Sequence, residues 1–274
     1  MKTLIIGASG MLAQPIIKHF DQAGFELRLF SRSIHSMNFD RYYELIKGDV
    51  MNAADLETAM KGCDAVHVSL SKVDETLAME QIVKAAQKNK VKLISLVSGC
   101  TVAEENRWFK MINQKFRAEQ TLINSGISYL IFRPTWFFES LHYMVRDGKA
   151  TILGKQPHPY HWIAANDYAR MVTTAYQKPE TWNNIFFVLG KESFKMEDLL
   201  KRYVQQKYPY IKKVSSVPLG VLKVIATLTG KKELKAAASL FGYFEKTKEM
   251  GNATKTNELL GAPRISFDEW IESN

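Results

Sequence analysis

Short apolar runs alternate with amphipathic stretches through the first half of the chain. The runs Thr3–Ile6, Glu26–Phe30, Tyr43–Ile46, Ala65–Ser69, Lys92–Val97 and Ser128–Phe132 have the length and apolar density of buried strands. Helical spacing marks Leu12–Gln22, Ala54–Lys61, Glu75–Asn89 and Glu105–Asn124, the last stopped at Ser125-Gly126. Strict alternation of this kind predicts an α/β fold: a Rossmann-type, doubly wound parallel sheet with helices on both faces.

After Arg133-Pro134 the alternation loosens, with a turn-rich stretch from Gly148 to Pro159 and a helix starting near Asn166-Asp167. The expected organisation is a dinucleotide-binding domain over residues 1–134 and a smaller substrate-side lobe over 135–274. Ile185–Leu189 reads as a further strand that can return to the main sheet.

The turn after the first strand carries the chemistry. Gly7-Ala8-Ser9-Gly10-Met11-Leu12-Ala13 joins a strand to a helix through two glycines that permit a tight turn and close approach of a pyrophosphate. The N–H groups of Ser9, Gly10, Met11 and Leu12 then open the helix as anion donors. The spacing is Gly-x-x-Gly-x-x-Ala, and no Gly-Lys-Ser/Thr ending of a nucleotide triphosphatase follows it.

The second strand runs into Phe30-Ser31-Arg32-Ser33, where an NAD-binding fold places an acid for the ribose hydroxyls. No acid stands there. A guanidinium pairs with phosphate oxygens through two charge-assisted bonds, so Arg32 predicts preference for NADP(H) over NAD(H).

Composition narrows the class. In 274 residues, 46% hydrophobic content supplies a sizeable core, and Cys63 and Cys100 are too few for a disulfide framework. The formal charge of +9 is carried largely by lysines scattered after Lys191. Without an arginine cluster or a nucleic-acid module, these read as a solvated face, so no nucleic-acid partner is expected. The apolar stretch Val217–Ala226 is too short to span a bilayer and is expected to cover the core or a substrate pocket. No secretory leader precedes the first strand, and the expected location is cytoplasmic. His158-x-x-His161 lacks a third ligand of metal spacing, and no Gly-x-Ser-x-Gly elbow is present.

Several patches together resemble the atypical short-chain dehydrogenase/reductase proteins, especially the NmrA-like and NAD(P)-dependent epimerase-like branch. Besides the glycine turn they are Lys47-Gly48-Asp49-Val50, Gly62-Cys63-Asp64-Ala65-Val66, Leu96-Val97-Ser98-Gly99, Lys115-Phe116-Arg117-Ala118-Glu119 and Phe132-Arg133-Pro134-Thr135. The resemblance implies that Asp49 and Val50 contact adenine, and that Ser69 and Leu70 lie along the adenosine ribose and phosphates. It places Ser98 and Lys115 at the nicotinamide ribose and Pro134-Thr135-Trp136 near the carboxamide. Ser98 and Lys115 are also the candidate catalytic residues. All follow the C-terminal ends of predicted strands, where open α/β sheets bind ligands.

Many members of that family carry a tyrosine four residues before the lysine, on the same helix face. Here Met111 occupies that position, and a thioether does no acid–base work. Tyrosine-dependent epimerisation, as in a nucleotide-sugar epimerase, loses support. Some NmrA-like reductases also lack the tyrosine, and the leading expectation is an NADPH-dependent reductase of a carbonyl, quinone or similar small molecule. Candidate proton donors are His142, Tyr143, Tyr160 and His161, while Trp136, Phe137 and Phe138 wall a pocket or belong to the core. Asp167 reads as a helix-start residue. The alternative is a non-catalytic NADP(H) sensor or assembly factor, with the basic C-terminal region as a protein-binding surface.

Overall fold

A computed structural model of the chain describes residues 1–34, 42–71 and 73–273. Its main sheet contains β1 (Lys2–Ile6), β2 (Glu26–Ser31), β3 (Glu44–Lys47), β4 (Ala65–Val68), β5 (Leu93–Val97), β6 (Ser128–Pro134) and β11 (Asn184–Val188). The seven strands lie in the order β11-β6-β5-β4-β1-β2-β3 and every pairing is parallel. This is the doubly wound sheet expected from the alternation, and the order reverses direction at β1. The strand expected at 185–189 pairs with β6, Ile185 opposite Ile131.

Helices α2 (Ala53–Met60), α3 (Glu75–Lys88) and α4 (Lys110–Ile123) cover one face. There Leu4 and Ile6 of β1 join Leu56, Met79, Ile82 and Leu122 in one buried cluster. Alternate residues of the same strands point the other way, toward α1 (Ala13–Gln22) and α5 (Ala165–Gln177), which pack together. On that face His67 of β4 lies edge-on to Phe20, and its Nδ1 shares a 2.7 Å hydrogen bond with Ser95 Oγ. Ser95 in turn bonds Tyr176 of α5 at 2.6 Å, and Tyr176 donates to the Val66 carbonyl.

One predicted helix is shorter than its pattern. Glu104–Asn106 forms a single tight turn, Phe109 is extended (φ −91°, ψ 118°), and α4 begins only at Lys110. The Asn106 amide donates to the Thr101 carbonyl and folds this segment back on itself before the helix starts.

The chain divides into two compact units. The larger holds Met1–Pro134, Ala165–Val188 and Asn252–Ala262, and thus takes α5, β11 and α9 (Thr254–Leu260) from the stretch read as a separate lobe. Arg170 of α5 fixes α9 there: its guanidinium donates to the carbonyls of Leu260 and Ala262 and pairs with buried Asp167 at 3.1 Å.

The smaller unit holds Thr135–Ala164, Leu189–Gly251 and Pro263–Asn274. Two three-stranded sheets organise it. One joins β7 (Trp136–Phe137), β10 (Tyr160–Ile163) and β12 (Glu192–Phe194), the other β8 (Val145–Arg146), β9 (Lys149–Leu153) and β13 (Val214–Val217). Helices α6 (Met196–Lys207), α7 (Leu219–Thr229), α8 (Lys232–Phe244) and α10 (Phe267–Ser273) complete it.

Candidate cofactor site

The turn between β1 and α1 is built for close approach. Gly7 adopts φ +86°, and a Cβ there would stand 2.0 Å from the Ser69 carbonyl oxygen, so no side chain fits. The Gly7 and Ala8 N–H groups donate to the Phe30 carbonyl, Gly10 N–H donates to the Gly7 carbonyl, and Ala13 N–H to the Gly10 carbonyl. Ser9 and Gly10 are left exposed and Met11 half-exposed.

The helix that follows is open to an anion. Leu12 occupies its N-cap without a capping side chain, and no acid stands in the first turn. By contrast α2 is capped by Asn52 and α3 by Asp74. Unpaired N–H groups and the positive end of the helix dipole favour negative charge at such a terminus.

The end of β2 is tied to this turn. Ser31 Oγ lies 2.6 Å from Ser9 Oγ, and Arg32 follows at once with its side chain exposed. Beyond β3, the Asp49 carboxylate accepts from Met51 N–H while Asp55 accepts from Asp49 N–H. Asp49 is half-exposed, whereas Val50 is buried in the core, so of that pair only Asp49 has a polar group at the surface. Ser69 N–H donates to the Ile6 carbonyl, and Leu70 packs partly on the core.

One face of α4 carries Met111, Lys115 and Glu119 at successive helical turns. Lys115 Nζ lies 2.9 Å from each oxygen of the Glu75 carboxylate on α3. Burial pushes the Glu75 carboxyl upward, and the neighbouring Lys115 opposes that shift. Ser98, at the end of β5, donates its hydroxyl to Glu119 Oε1 at 2.5 Å. Arg133 of β6 grips both oxygens of the same fully buried carboxylate, at 3.0 and 2.5 Å. Ser98 and Lys115 are thus each held by an acid. Sequence reading did not single out Glu75, Glu119 or Arg133, although Glu119 and Arg133 lay inside quoted motifs. For Glu119 a signal was present: it stands four residues after Lys115, on the same face.

Pro134 closes β6, its carbonyl accepting from Cys100 N–H at 2.9 Å. Thr135 begins the smaller unit and there donates its hydroxyl to Glu249. Glu249 also accepts from the His161 backbone N–H at 3.1 Å and contacts His161 Nδ1. Of the other proton-donor candidates, Tyr160 donates to the Thr247 carbonyl and is buried, a packing role. His142 and Tyr143 lie against one another, with Tyr143 largely exposed.

The aromatic run after Pro134 divides. Phe137 and Phe138 are core, whereas Trp136 stacks on Trp162 with ring centres 5.6 Å apart. These two tryptophans line a shallow recess that opens to solvent, with Gln156, His158, Tyr160, Phe194 and Met196. Cys63 and Cys100 are both buried free thiols. Among the described residues, no helix is long and apolar enough to cross a membrane.

Comparison with known proteins agrees with this geometry. A family model described as NAD(P)H-binding matches residues 7–179. The Photosystem II assembly factor Ycf39 of Trieres chinensis is 24% identical over 275 residues, spanning 95% of this chain and 82% of its own. Among solved structures, the Citrobacter sp. triphenylmethane reductase complexed with NADP(H) superposes with a TM-score of 0.79 at 16% identity, covering 100% of this chain and 99% of that one. The NADPH-dependent quinone oxidoreductase of Escherichia coli, complexed with NADPH, gives 0.78 at 17% identity with the same coverage. At these identities what is shared with the two structures is the fold.

Proposed function

The chain belongs to the NAD(P)H-binding family, and from that premise we propose that it is an NADPH-dependent reductase of a carbonyl, quinone or similar electron-poor small molecule. The observation that carries the reading is the Gly7 turn leading into an uncapped, acid-free helix start, with Arg32 exposed just beyond β2. In this reading Gly7, Ser9, Gly10, Met11 and Leu12 receive the pyrophosphate, and Arg32 receives the 2′-phosphate. Asp49 meets the adenine edge, and Ser69 and Leu70 flank the adenosine ribose.

NADPH, when bound, supplies the hydride. Lys115 holds the nicotinamide ribose: an ammonium has three donors, and the Glu75 carboxylate leaves one for a ribose hydroxyl. Ser98 serves the same ribose through the lone pairs of an oxygen whose proton is given to Glu119. With Met111 in place of the tyrosine, the proton is supplied by another group or by water. Reductases of this fold that act on quinones and triphenylmethane dyes support the substrate class.

A second reading, an NADP(H)-responsive assembly or regulatory protein, is favoured by Met111 and by curated relatives described as assembly factors. Steady oxidation of NADPH across a panel of quinones and carbonyls separates the two. Acceptor-dependent turnover supports the reductase. Tight NADPH binding without turnover on any acceptor favours the assembly reading.

A further inference from the structure

Helix α7 does not behave as its composition predicts. The apolar stretch was expected to cover the core or a pocket, but only Leu222 and Ala226 of the helix are buried. Val221, Val224, Ile225 and Leu228 are 50%, 58%, 42% and 81% exposed. Their spacing, i, i+3, i+4 and i+7, places all four on one side of the helix as a continuous aliphatic stripe. The opposite side packs on α8. Gly230, in the left-handed conformation at φ +64°, ends α7 and reverses the chain. Exposed Lys231 at the N-cap of α8, and Lys232 and Lys235 in its first turn, follow Gly230 and the most exposed member of the stripe, Leu228.

The charge around the stripe is one-sided. Between residues 212 and 235 the sequence carries six lysines, a single acid (Glu233) and no arginine or aromatic residue. A second copy of the chain fits poorly, because a symmetric contact across the stripe brings these lysines together. Four aliphatic side chains also fall well short of the ~800 Å² that each partner buries in a stable dimer. A specific protein partner is usually gripped by Trp, Tyr and Arg anchors, and none is present here. Aliphatic side chains with flexible lysines beside them instead suit a fluid, negatively charged surface, in which the stripe enters the acyl boundary and the ammonium groups meet headgroup phosphates.

We propose that the α7–α8 hairpin docks this protein on an anionic lipid surface, lying in the interface without spanning it. The contact is independent of the cofactor reading.

The test is flotation of the purified full-length chain with vesicles of phosphatidylcholine alone and of an equal mixture of phosphatidylcholine and phosphatidylglycerol, at low and high salt. The expected result is association with the mixed vesicles only, weakened by salt. The double variant Val224→Ser with Leu228→Ser should lower the partition coefficient about tenfold or more, and Lys231→Glu with Lys232→Glu about a hundredfold. All four side chains are exposed, so unchanged thermal unfolding verifies that the variants remain folded. The proposal is overturned by absence of binding to the mixed vesicles, or by binding that neither variant weakens. It is equally overturned if the wild type ignores vesicles but self-associates in a way Leu228→Ser abolishes, since the stripe then joins two copies.

Discussion

Lys115 and Glu75 form an ion pair that joins α4 to α3, with Nζ 2.9 Å from each carboxylate oxygen and side-chain exposures of 14% and 8%. Removing the lysine alone strands a buried carboxylate. Lys115→Met should therefore cost about 3 kcal/mol at neutral pH. Glu75 already has its carboxyl pushed upward by burial, and losing Lys115 raises it further. A carboxyl raised in the folded state binds its proton there before the unfolded chain does. Stability of the variant should thus recover as pH falls from the folded value toward 4.5. Denaturant titrations across this range test it, and Glu75→Gln added to Lys115→Met should restore most of the neutral-pH loss.

Gly7 and Gly24 separate backbone strain from steric conflict. Both have positive φ, +86° and +79°, but a Cβ on Gly24 meets nothing within 4 Å, whereas on Gly7 it meets the Ser69 carbonyl at 2.0 Å. Gly24→Ala should cost about 1–2 kcal/mol for the conformation alone. Gly7→Ala should cost about 1–3 kcal/mol more, because β4 must shift, and should abolish NADPH binding. Equal losses of stability in the two variants would remove the close-approach argument.

His67 should set part of the acid limit of stability. It is fully buried, and desolvation lowers its pKa from 6.5 to about 3. A histidine kept neutral in the folded state contributes fully above 6.5. As pH drops below that, the unfolded chain takes up a proton the folded chain refuses, and stability falls by about 1.4 kcal/mol per pH unit until the folded value is reached. His67→Leu should flatten unfolding free energy between pH ~6 and ~4, and a wild-type slope in the variant would show that other groups dominate.

The Ser98, Glu119 and Arg133 cluster should be graded by charge. Ser98→Ala removes one hydrogen bond to a carboxylate that keeps its arginine, at about 1–2 kcal/mol. Arg133→Met leaves a carboxylate with 0% exposure without a counter-charge, at about 3–5 kcal/mol. Chemical denaturation measures both, and a larger effect at Ser98 than at Arg133 would contradict the geometry.

The inner strands of the main sheet were legible because both faces of a parallel sheet are covered, which writes such a strand as a nearly continuous apolar run. Ile185 could be read as a strand from the same kind of run. Where helices begin was less legible: an amphipathic pattern runs through Trp108 and Phe109, but the backbone at Phe109 is extended. The apolar composition of α7 says that it is hydrophobic, not which side is covered, and burial was expected where Val224 and Ile225 are exposed. The glycine turn and Arg32 were visible as residue types in a fixed order. The pairings that hold Lys115 and Ser98 were not: Glu75 lies 40 residues from Lys115 and is brought to it by the packing of α3 on α4, and although Glu119 shares the Lys115 face, its bond to Ser98, 21 residues away, forms only where α4 packs beside the end of β5.

The central claim is that the Gly7 turn and Arg32 hold NADP(H). The most direct measurement is a side-by-side titration of the protein and of Arg32→Asp with NADPH, NADP, NADH and NAD, read by intrinsic fluorescence. We predict that the unmodified protein binds the phosphorylated pair at least ~10-fold more tightly, and that Arg32→Asp weakens NADPH binding by about 1.5–3 kcal/mol while leaving NADH little changed. Equal affinity for all four, or equal losses in the variant, would contradict the assignment of Arg32, and failure of all four to bind would contradict the site itself.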